Sequence, residues 1–181
     1  MTHKKGRTQK LKEHILHPIP PFFDKESKIL ILGSFPSVKS REQMFFYGHP
    51  QNRFWKVIAS VFSDKEPETV LEKKAFLRAH HVALWDVIGS CDIEGSSDSS
   101  IENVIVNDIS QILKSADIRG IFVNGKTAEK YYKKYIEQEI GIKAVCLPST
   151  SQANAAWSVD KLALNWGKAT GSIFGTDENI F

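Results

Sequence analysis

Residues 28–62 read KILILGSFPSVKSREQMFFYGHPQNRFWKVIASVF, and the class of fold follows from their pattern. The stretch opens with an uncharged apolar run, 29–32, which is too short for a helix and stops at Gly33. Such a run is typical of a strand buried on both faces of a parallel sheet. The stretch closes with apolar residues at helical spacing from Phe54 to Phe62, which predict an amphipathic helix. Because ligands of open α/β sheets bind beyond the carboxyl ends of the strands, the loop between these elements is the first candidate for a functional site.

The rest of the chain repeats this alternation of short apolar runs and helical patterns. Strands are predicted at 82–85, 120–123 and 143–147, and helices at 66–79, 126–138 and 159–167. A further helix is predicted after Asn107 as its N-cap, and Ser158 is predicted to cap the last one. The Ser-, Asp- and Gly-rich residues 91–100 are predicted to form a loop.

These elements predict one α/β domain over residues 17–181, preceded by a flexible basic tail, residues 1–16. The expected architecture is a three-layer α/β/α sandwich with a central, mostly parallel four-stranded sheet. The alternative for the tail is a basic arm that contacts phosphates.

Composition excludes several classes of protein. The chain has 181 residues, of which 41% are hydrophobic and 25% charged, as in ordinary globular domains. No apolar run approaches the roughly 20 residues of a membrane helix, so no membrane partner is expected. Cys91 and Cys146 are far apart and form no disulfide framework, and no apolar segment follows the N-terminal charges. We expect a monomeric cytoplasmic protein whose net charge of +3 permits a polyanionic partner.

Common cofactor motifs are missing from the sequence. It contains no GxGxxG, GxxxxGK[ST], HExxH or GxSxG pattern. The sequence therefore gives little support to a phosphate-binding or a metal-dependent function. We therefore predict neither a cofactor nor a metal site. Polar groups beside aromatic residues or prolines remain in three strand-end loops, 33–53, 85–90 and 148–154.

The first of these loops carries three consecutive aromatic residues, Phe45, Phe46 and Tyr47. They cannot all point into one core layer, so at least one is expected in a pocket wall, where it could stack on a flat ligand. The alternative is that two are core residues and the third covers them. Asn52 lies just before a helix, where an N-cap is wanted, and His49 before a proline is compatible with an ordinary surface turn.

Short motifs in these loops resemble one family. They are GSFP at 33–36, YGHPQNRFW at 47–55, LWDV at 84–87, GSSDS at 95–99, NG at 124–125 and LPSTSQANA at 147–155. In this order they resemble the uracil-DNA glycosylase superfamily, and the hypoxanthine-DNA (deoxyinosine) glycosylase branch most of all. The segment HPQNRFWKVI is also similar to the mismatch-specific (Mug) branch. The resemblance covers the chain from His17 to about Gly167.

The resemblance implies a monofunctional DNA glycosylase of base-excision repair. Such an enzyme hydrolyses the N-glycosidic bond of a deaminated base, here most plausibly hypoxanthine, and leaves an abasic site in the DNA. It flips the nucleotide out of the stack and reads its edge in a pocket. It needs a positioned water and donors aimed at the leaving base, and no cofactor.

The resemblance also assigns roles to residues. The mismatch and thymine branches place a water-positioning Asn in the turn after the first strand, but Phe35 occupies that position here. The hypoxanthine branch assigns the role to the Asn of HP-x-N, which is Asn52, so Asn52 is the predicted catalytic residue. Asp86 lies where other branches read the base with an Asn, and as a carboxylate it would accept the N1–H of hypoxanthine. The predicted base pocket consists of Gly33, Ser34, Phe35, Tyr47, His49, Trp85, Asp86 and Asn124.

The loop at 148–154 is the predicted DNA contact. By resemblance it enters the helix as the base leaves, and its hydroxyl groups suit phosphate contacts. Gln152 stands where the family has proline, and Gln152 or Asn154 is the expected probe of the partner base. The predicted DNA-binding residues are Pro148, Ser149, Thr150, Ser151, Gln152 and Asn154.

Other functions remain open at this point. One is a uracil or mismatch-specific glycosylase, which the loss of the turn Asn at Phe35 disfavours. Another is a nucleic-acid-binding module without activity, in which Asn52 would only cap its helix. A third is a small-molecule α/β enzyme. The preferred base, the partner base, and the choice between single- and double-stranded DNA also stay open.

Overall fold

The computed structural model describes residues 11–173, which form two sheets and seven α-helices. The strands are β1 Glu13–Leu16, β2 Ile29–Gly33, β3 Val82–Asp86, β4 Ile88–Ile93, β5 Glu102–Val106, β6 Gly120–Asn124 and β7 Val145–Leu147. The helices are α1 Val38–Gln43, α2 Phe54–Val61, α3 Val70–Ala79, α4 Ser110–Ser115, α5 Lys126–Tyr135, α6 Glu137–Ile140 and α7 Val159–Gly171.

The central sheet is parallel throughout and has the strand order β3-β2-β6-β7. Every residue of β2 and β3 is buried, as expected for strands covered by helices on both faces. Helices flank this sheet, and α2 packs against α7 with Phe54 edge-on to Trp166. The predicted α/β/α sandwich with a four-stranded parallel sheet is confirmed.

The register of the parallel strands brings their carboxyl ends to one edge. Gly33 of β2 lies beside Asp86 of β3, and Asn124 of β6 lies beside Leu147 of β7. The loops that follow these strands therefore share one side of the molecule.

The second sheet is antiparallel, with the order β1-β4-β5, and the sequence did not predict it. The prediction of a flexible tail over 1–16 is wrong for Glu13–Leu16, which pairs with β4 from Glu13 opposite Ile93 to Leu16 opposite Ser90. Lys12 adds an ion pair to Glu102. Backbone pairing orders this segment although its side chains are mostly exposed. Residues 1–10 lie outside the described part of the chain.

The loop predicted at 91–100 is also wrong in its first part, because β4 continues to Ile93. Cys91 is fully buried and Ile93 nearly so, and β4 is paired on both edges by β1 and β5. Pairing with two neighbours therefore outweighs the low strand propensity of the Ser, Gly and Asp residues.

Asn107 does not cap α4 as predicted. Its Nδ2 donates to the carbonyl oxygens of Asp86 at 2.9 Å and Ile88 at 3.2 Å, which fixes the corner between β3 and β4. Asp108 accepts the N–H of Ser110, the first residue of α4, instead. The predicted cap of α7 is confirmed, since Ser158 Oγ accepts the N–H of Lys161.

Candidate active site

A cavity of about 600 Å³ opens at the carboxyl ends of the parallel strands. Gly33, Asp86 and Asn124, which end β2, β3 and β6, line it together with the loop after β7. A concave site of this size is that of a small-molecule or nucleotide pocket. The cavity brings together these predicted residues: Gly33, Ser34, Phe35, Tyr47, His49, Asn52, Asp86, Asn124, Ser149, Thr150, Ser151 and Asn154.

Asn52 is held at the cavity wall by two donors. Its Oδ1 accepts the backbone N–H of Phe54 at 3.0 Å and the hydroxyl hydrogen of Thr150 at 2.9 Å. Since a backbone amide can only donate, the first bond identifies this atom as the amide oxygen. Within residues 11–173 no hydrogen bond engages Nδ2. One end of Asn52 thus binds the first N–H of α2, and the other end is left for a ligand.

Thr150 connects Asn52 to Asn124. The Thr150 hydroxyl accepts from Asn124 Nδ2 at 2.9 Å, and its backbone N–H donates to Asn124 Oδ1 at 3.0 Å. The residue has no exposed surface. The prediction that Thr150 contacts DNA is therefore wrong for this arrangement, because a fully buried hydroxyl cannot reach a phosphate. Its contacts orient Asn52 instead.

Arg53 binds the loop after β7 through backbone carbonyl groups alone. Its guanidinium donates to the carbonyl oxygens of Thr150 at 3.2 Å, Ser151 at 2.6 Å, Asn154 at 3.0 Å and Trp157. In the described part of the chain no carboxylate pairs with it. Sequence reasoning missed this role, because an arginine that binds only backbone atoms leaves no complementary charge in the sequence.

His17 and Asp86 form a buried pair beside the cavity. His17 Nε2 lies 2.8 Å from Asp86 Oδ2, and the two side chains are 2% and 7% exposed. His17 Nδ1 accepts the N–H of Ile19, so the ring proton is on Nε2 and points to the carboxylate. Sequence reasoning assigned His17 no role.

Gly33 gives Asp86 room at the cavity floor. A Cβ at residue 33 would overlap Asp86 Oδ1 and lie 3.2 Å from the Tyr47 hydroxyl. Both polar atoms therefore face the same point above Gly33. Glycine is required here by close approach rather than by backbone conformation.

Of the three consecutive aromatic residues in the first loop, Tyr47 reaches the cavity, whereas Phe45 and Phe46 lie in the core. Its backbone has φ 52°, and its ring stacks on Phe54 with centroids 3.8 Å apart. The hydroxyl is buried and has no partner at full hydrogen-bonding geometry within residues 11–173, although Asn124 lies close enough to offset a small part of the rise in its pKa. Burial, reinforced by the negative charge of Asp86, raises the pKa of Tyr47 well above its usual value. A strained tyrosine with an unpaired hydroxyl is typical of a ligand site.

The GSSDS motif folds over one side of the cavity. Ser34 Oγ donates to Asp98 Oδ2 at 2.9 Å, and the N–H of Val38 donates to Ser96 Oγ at 2.9 Å. Residues 96–99 line the cavity, so this motif, which the sequence left without a role, is part of the site wall.

The remaining predicted residues lie outside the cavity. Trp85 was predicted in the base pocket, but it is a core residue that donates to the carbonyl oxygen of Ile19 and does not line the cavity. Pro148 uses its carbonyl oxygen to accept from Trp166, and Gln152 is exposed. Asn154 donates to the carbonyl oxygen of Ser149, which leaves Gln152 as the amide free to reach outward.

Residues 11–173 contain neither a membrane-spanning helix nor a metal-binding cluster. No helix there is long and apolar enough to cross a bilayer. No cluster of three or more His, Cys, Asp and Glu side chains in this range could hold a metal ion.

Comparison with known proteins decides the family. The model of the Uracil DNA glycosylase superfamily matches residues 20–167 of this chain. The chain belongs to this superfamily. It is 33% identical over 144 residues to a Hypoxanthine DNA glycosylase of Methanosarcina acetivorans, covering 78% of this chain and 90% of the relative. It is 31% identical over 153 residues to a Hypoxanthine DNA glycosylase of Methanosarcina barkeri, covering 83% and 94%.

A solved structure agrees with the sequence comparison. The solution NMR structure of a protein from Methanosarcina acetivorans, described as a candidate uracil DNA glycosylase, superposes with a TM-score of 0.73. The match has 28% identity and covers 92% of this chain and 99% of that one. The chain is thus a DNA glycosylase, and DNA is its partner. The predicted resemblance to the hypoxanthine branch of the superfamily is confirmed.

Proposed function

We propose that this glycosylase hydrolyses the N-glycosidic bond of a deaminated base, hypoxanthine above all, flipped into the cavity, and leaves an abasic site. The observation that carries the proposal is the way in which the side-chain amide of Asn52 is held. Two donors fix its Oδ1, and no hydrogen bond from residues 11–173 engages its Nδ2 at the cavity wall. An amide held in this way can position one water with little loss of conformational entropy on binding. The names of the relatives support hypoxanthine as the base.

Hydrolysis of the N-glycosidic bond requires above all that the protein position the attacking water. As the C1′–N9 bond breaks, positive charge develops on the sugar and negative charge on the base. A water that accepts a hydrogen bond from Asn52 Nδ2 keeps a lone pair for attack on the sugar carbon. Hydrolysis then leaves a hydroxyl on the sugar and a free base, with no covalent link to the enzyme. Asn52 also binds the helix N–H, so capping and water positioning use different atoms of one side chain.

The loop after β7 is the proposed DNA contact. Ser149 and Ser151 line the cavity rim, and Gln152 extends from it into solvent. Hydroxyl groups at such a rim suit the phosphates that flank a flipped nucleotide. Gln152 is the side chain best placed to probe the base left opposite, because Asn154 is already bound to its own loop.

Single-turnover cleavage of duplexes that carry hypoxanthine, uracil or xanthine tests the proposal. We expect hypoxanthine release by the wild-type enzyme and a loss of at least about 100-fold in Asn52→Ala, the usual cost of losing a positioned catalytic group. Gln51→Ala is the matched control, since Gln51 is the exposed neighbouring amide and does not line the cavity. Unchanged release in Asn52→Ala would remove Asn52 from the mechanism. Release of uracil alone would favour a mismatch-type enzyme, and intact binding without release would indicate a module that lost the reaction.

A further inference from the structure

A backbone N–H near the start of the described chain sets the tautomer of His17, which in turn contacts Asp86 beside the cavity. The chain of hydrogen bonds begins at the backbone N–H of Ile19, which can only donate, and it donates to His17 Nδ1 at 3.2 Å. The neutral ring then carries its proton on Nε2, which donates to Asp86 Oδ2 at 2.8 Å. Asp86 is therefore an acceptor at this contact, and its other oxygen, Oδ1, lies over Gly33 at the cavity floor.

His17 cannot easily rotate away from this arrangement. Phe35 and Trp85 meet its ring edge-on, with centroids 5.7 and 6.3 Å away. Two side chains that make no apparent contribution to chemistry thereby hold the imidazole in place. Phe35 occupies the turn position after β2, so the residue at this turn acts on the site through His17.

Tyr47 supplies the complementary group. Its hydroxyl faces the same point above Gly33 as Asp86 Oδ1, and its hydrogen has no acceptor at hydrogen-bonding geometry within the described residues. Burial and the charge of Asp86 keep the hydroxyl protonated, so it remains a donor. The floor of the cavity therefore presents one acceptor and one donor side by side.

We propose that His17, by fixing Asp86 as an acceptor beside the Tyr47 donor, makes the cavity selective for bases with an N–H next to a carbonyl group. Deamination creates this edge. Adenine presents an amino donor and a ring-nitrogen acceptor, whereas hypoxanthine presents a carbonyl acceptor and an N1–H donor. Cytosine and uracil differ in the same way. Asp86 would accept the ring N–H and Tyr47 would donate to the carbonyl oxygen, while an adenine edge would set acceptor against acceptor.

This inference rests on the proposed function and assigns His17 as a positioning residue, with Asp86 and Tyr47 as the groups that touch the base. Guanine carries the same lactam edge as hypoxanthine, so the pair separates deaminated bases from adenine and cytosine only.

Affinity ratios test it with the intact protein. The probes are duplexes with 2′-fluoro nucleotides, which resist cleavage, bearing hypoxanthine, unsubstituted purine or adenine opposite an abasic-site analogue so that no base pair must be broken. Purine has neither the carbonyl nor the N–H. We expect the preference for hypoxanthine over purine to fall about tenfold or more in His17→Phe and several-fold in Tyr47→Phe, as when the partner of a buried polar group is removed. Asp86→Asn, with its N–H₂ turned to the cavity, should shift preference toward adenine.

Matched controls lie elsewhere in the chain. His14→Phe removes the imidazole of an exposed His–Asp pair, His14 with Asp92, and Tyr132→Phe removes a hydroxyl bonded to the carbonyl oxygen of Ile142. Both should leave the ratio unchanged. A purely structural role of His17 would weaken all probes equally and leave the ratio as in wild type, which would overturn the inference. Failure of the proposed function is a separate result, namely no release of hypoxanthine from a cleavable duplex by the wild-type enzyme.

Discussion

The contacts of Arg53 predict that replacing it will damage stability and activity together. Its guanidinium donates to four carbonyl oxygens of the loop after β7, and its own N–H donates to one of them, that of Thr150. A hydrogen bond from a charged donor contributes about 1.5–3 kcal/mol. The four bonds are not additive, and water can reach part of this half-buried loop. We therefore expect Arg53→Met, which keeps the apolar stem, to lower the free energy of unfolding by about 2–4 kcal/mol.

The same substitution should slow base release. Thr150 belongs to the loop that Arg53 binds, and it donates to Asn52, so loosening this loop displaces the residue that we propose positions the water. A displacement of about 1 Å costs roughly 100-fold in rate. Urea denaturation and single-turnover cleavage of a hypoxanthine duplex measure the two effects in the same preparation.

Arg53→Lys separates geometry from charge. An ammonium group is a point charge with three donors and cannot reproduce the planar fork that reaches four oxygens. We expect it to recover little of either property. Arg119→Met is the control, because within the described residues the Arg119 side chain pairs with exposed Asp117 alone, and its loss should leave stability nearly unchanged. Full recovery by lysine would show that positive charge, and not the carbonyl contacts, is what the loop requires.

Substitutions at Thr150, Gly33 and Tyr47 test neighbouring parts of the site. Thr150→Val removes a fully buried hydroxyl that both accepts and donates, and should cost about 1–3 kcal/mol in urea denaturation, whereas Thr150→Ser should recover most of it. Gly33→Ala places a Cβ against Asp86 and should reduce hypoxanthine release about 100-fold, while Gly167→Ala, in open space on α7, should raise thermal stability by up to about 1 kcal/mol. The raised pKa of Tyr47 means that the folded state keeps a proton that the unfolded state loses above its usual pKa of 10.0. Stability should therefore fall by about 1.4 kcal/mol per pH unit from this group as pH rises past that value, and Tyr47→Phe should flatten the slope in denaturation at high pH.

The parallel sheet could be predicted because its strands carry their own signal. A strand buried on both faces must be apolar throughout, as the run 29–32 is, and the helix after it shows helical spacing. The antiparallel sheet could not be predicted in the same way. Glu13–Leu16 is mostly exposed, so its order comes from backbone pairing with residues 90–93, which leaves little trace in side-chain composition.

The site divides along a similar line. Asn52, Asp86 and Asn124 follow strands or precede a helix, and their positions could be predicted from motifs. Thr150 was predicted to face the DNA, but its side chain points inward to Asn52 and Asn124. The sequence alone does not tell whether a threonine hydroxyl faces a phosphate or a buried amide. Arg53 and His17 were missed, since their partners lie about a hundred and about seventy residues away and the contacts depend on the tertiary fold.

The bond between Thr150 and Asn52 joins residues 98 positions apart, which matters for how the enzyme is made. Domains generally fold as units from a chain that emerges from the ribosome N-terminal end first. Asn52 is synthesised 98 residues before Thr150, which lies in the loop that orients it. A nascent chain can pair β2 with β3 long before it holds the amide in position. The candidate site therefore cannot be completed before residue 150 has been made, and a chain that is cut short before that point lacks the residue that orients Asn52.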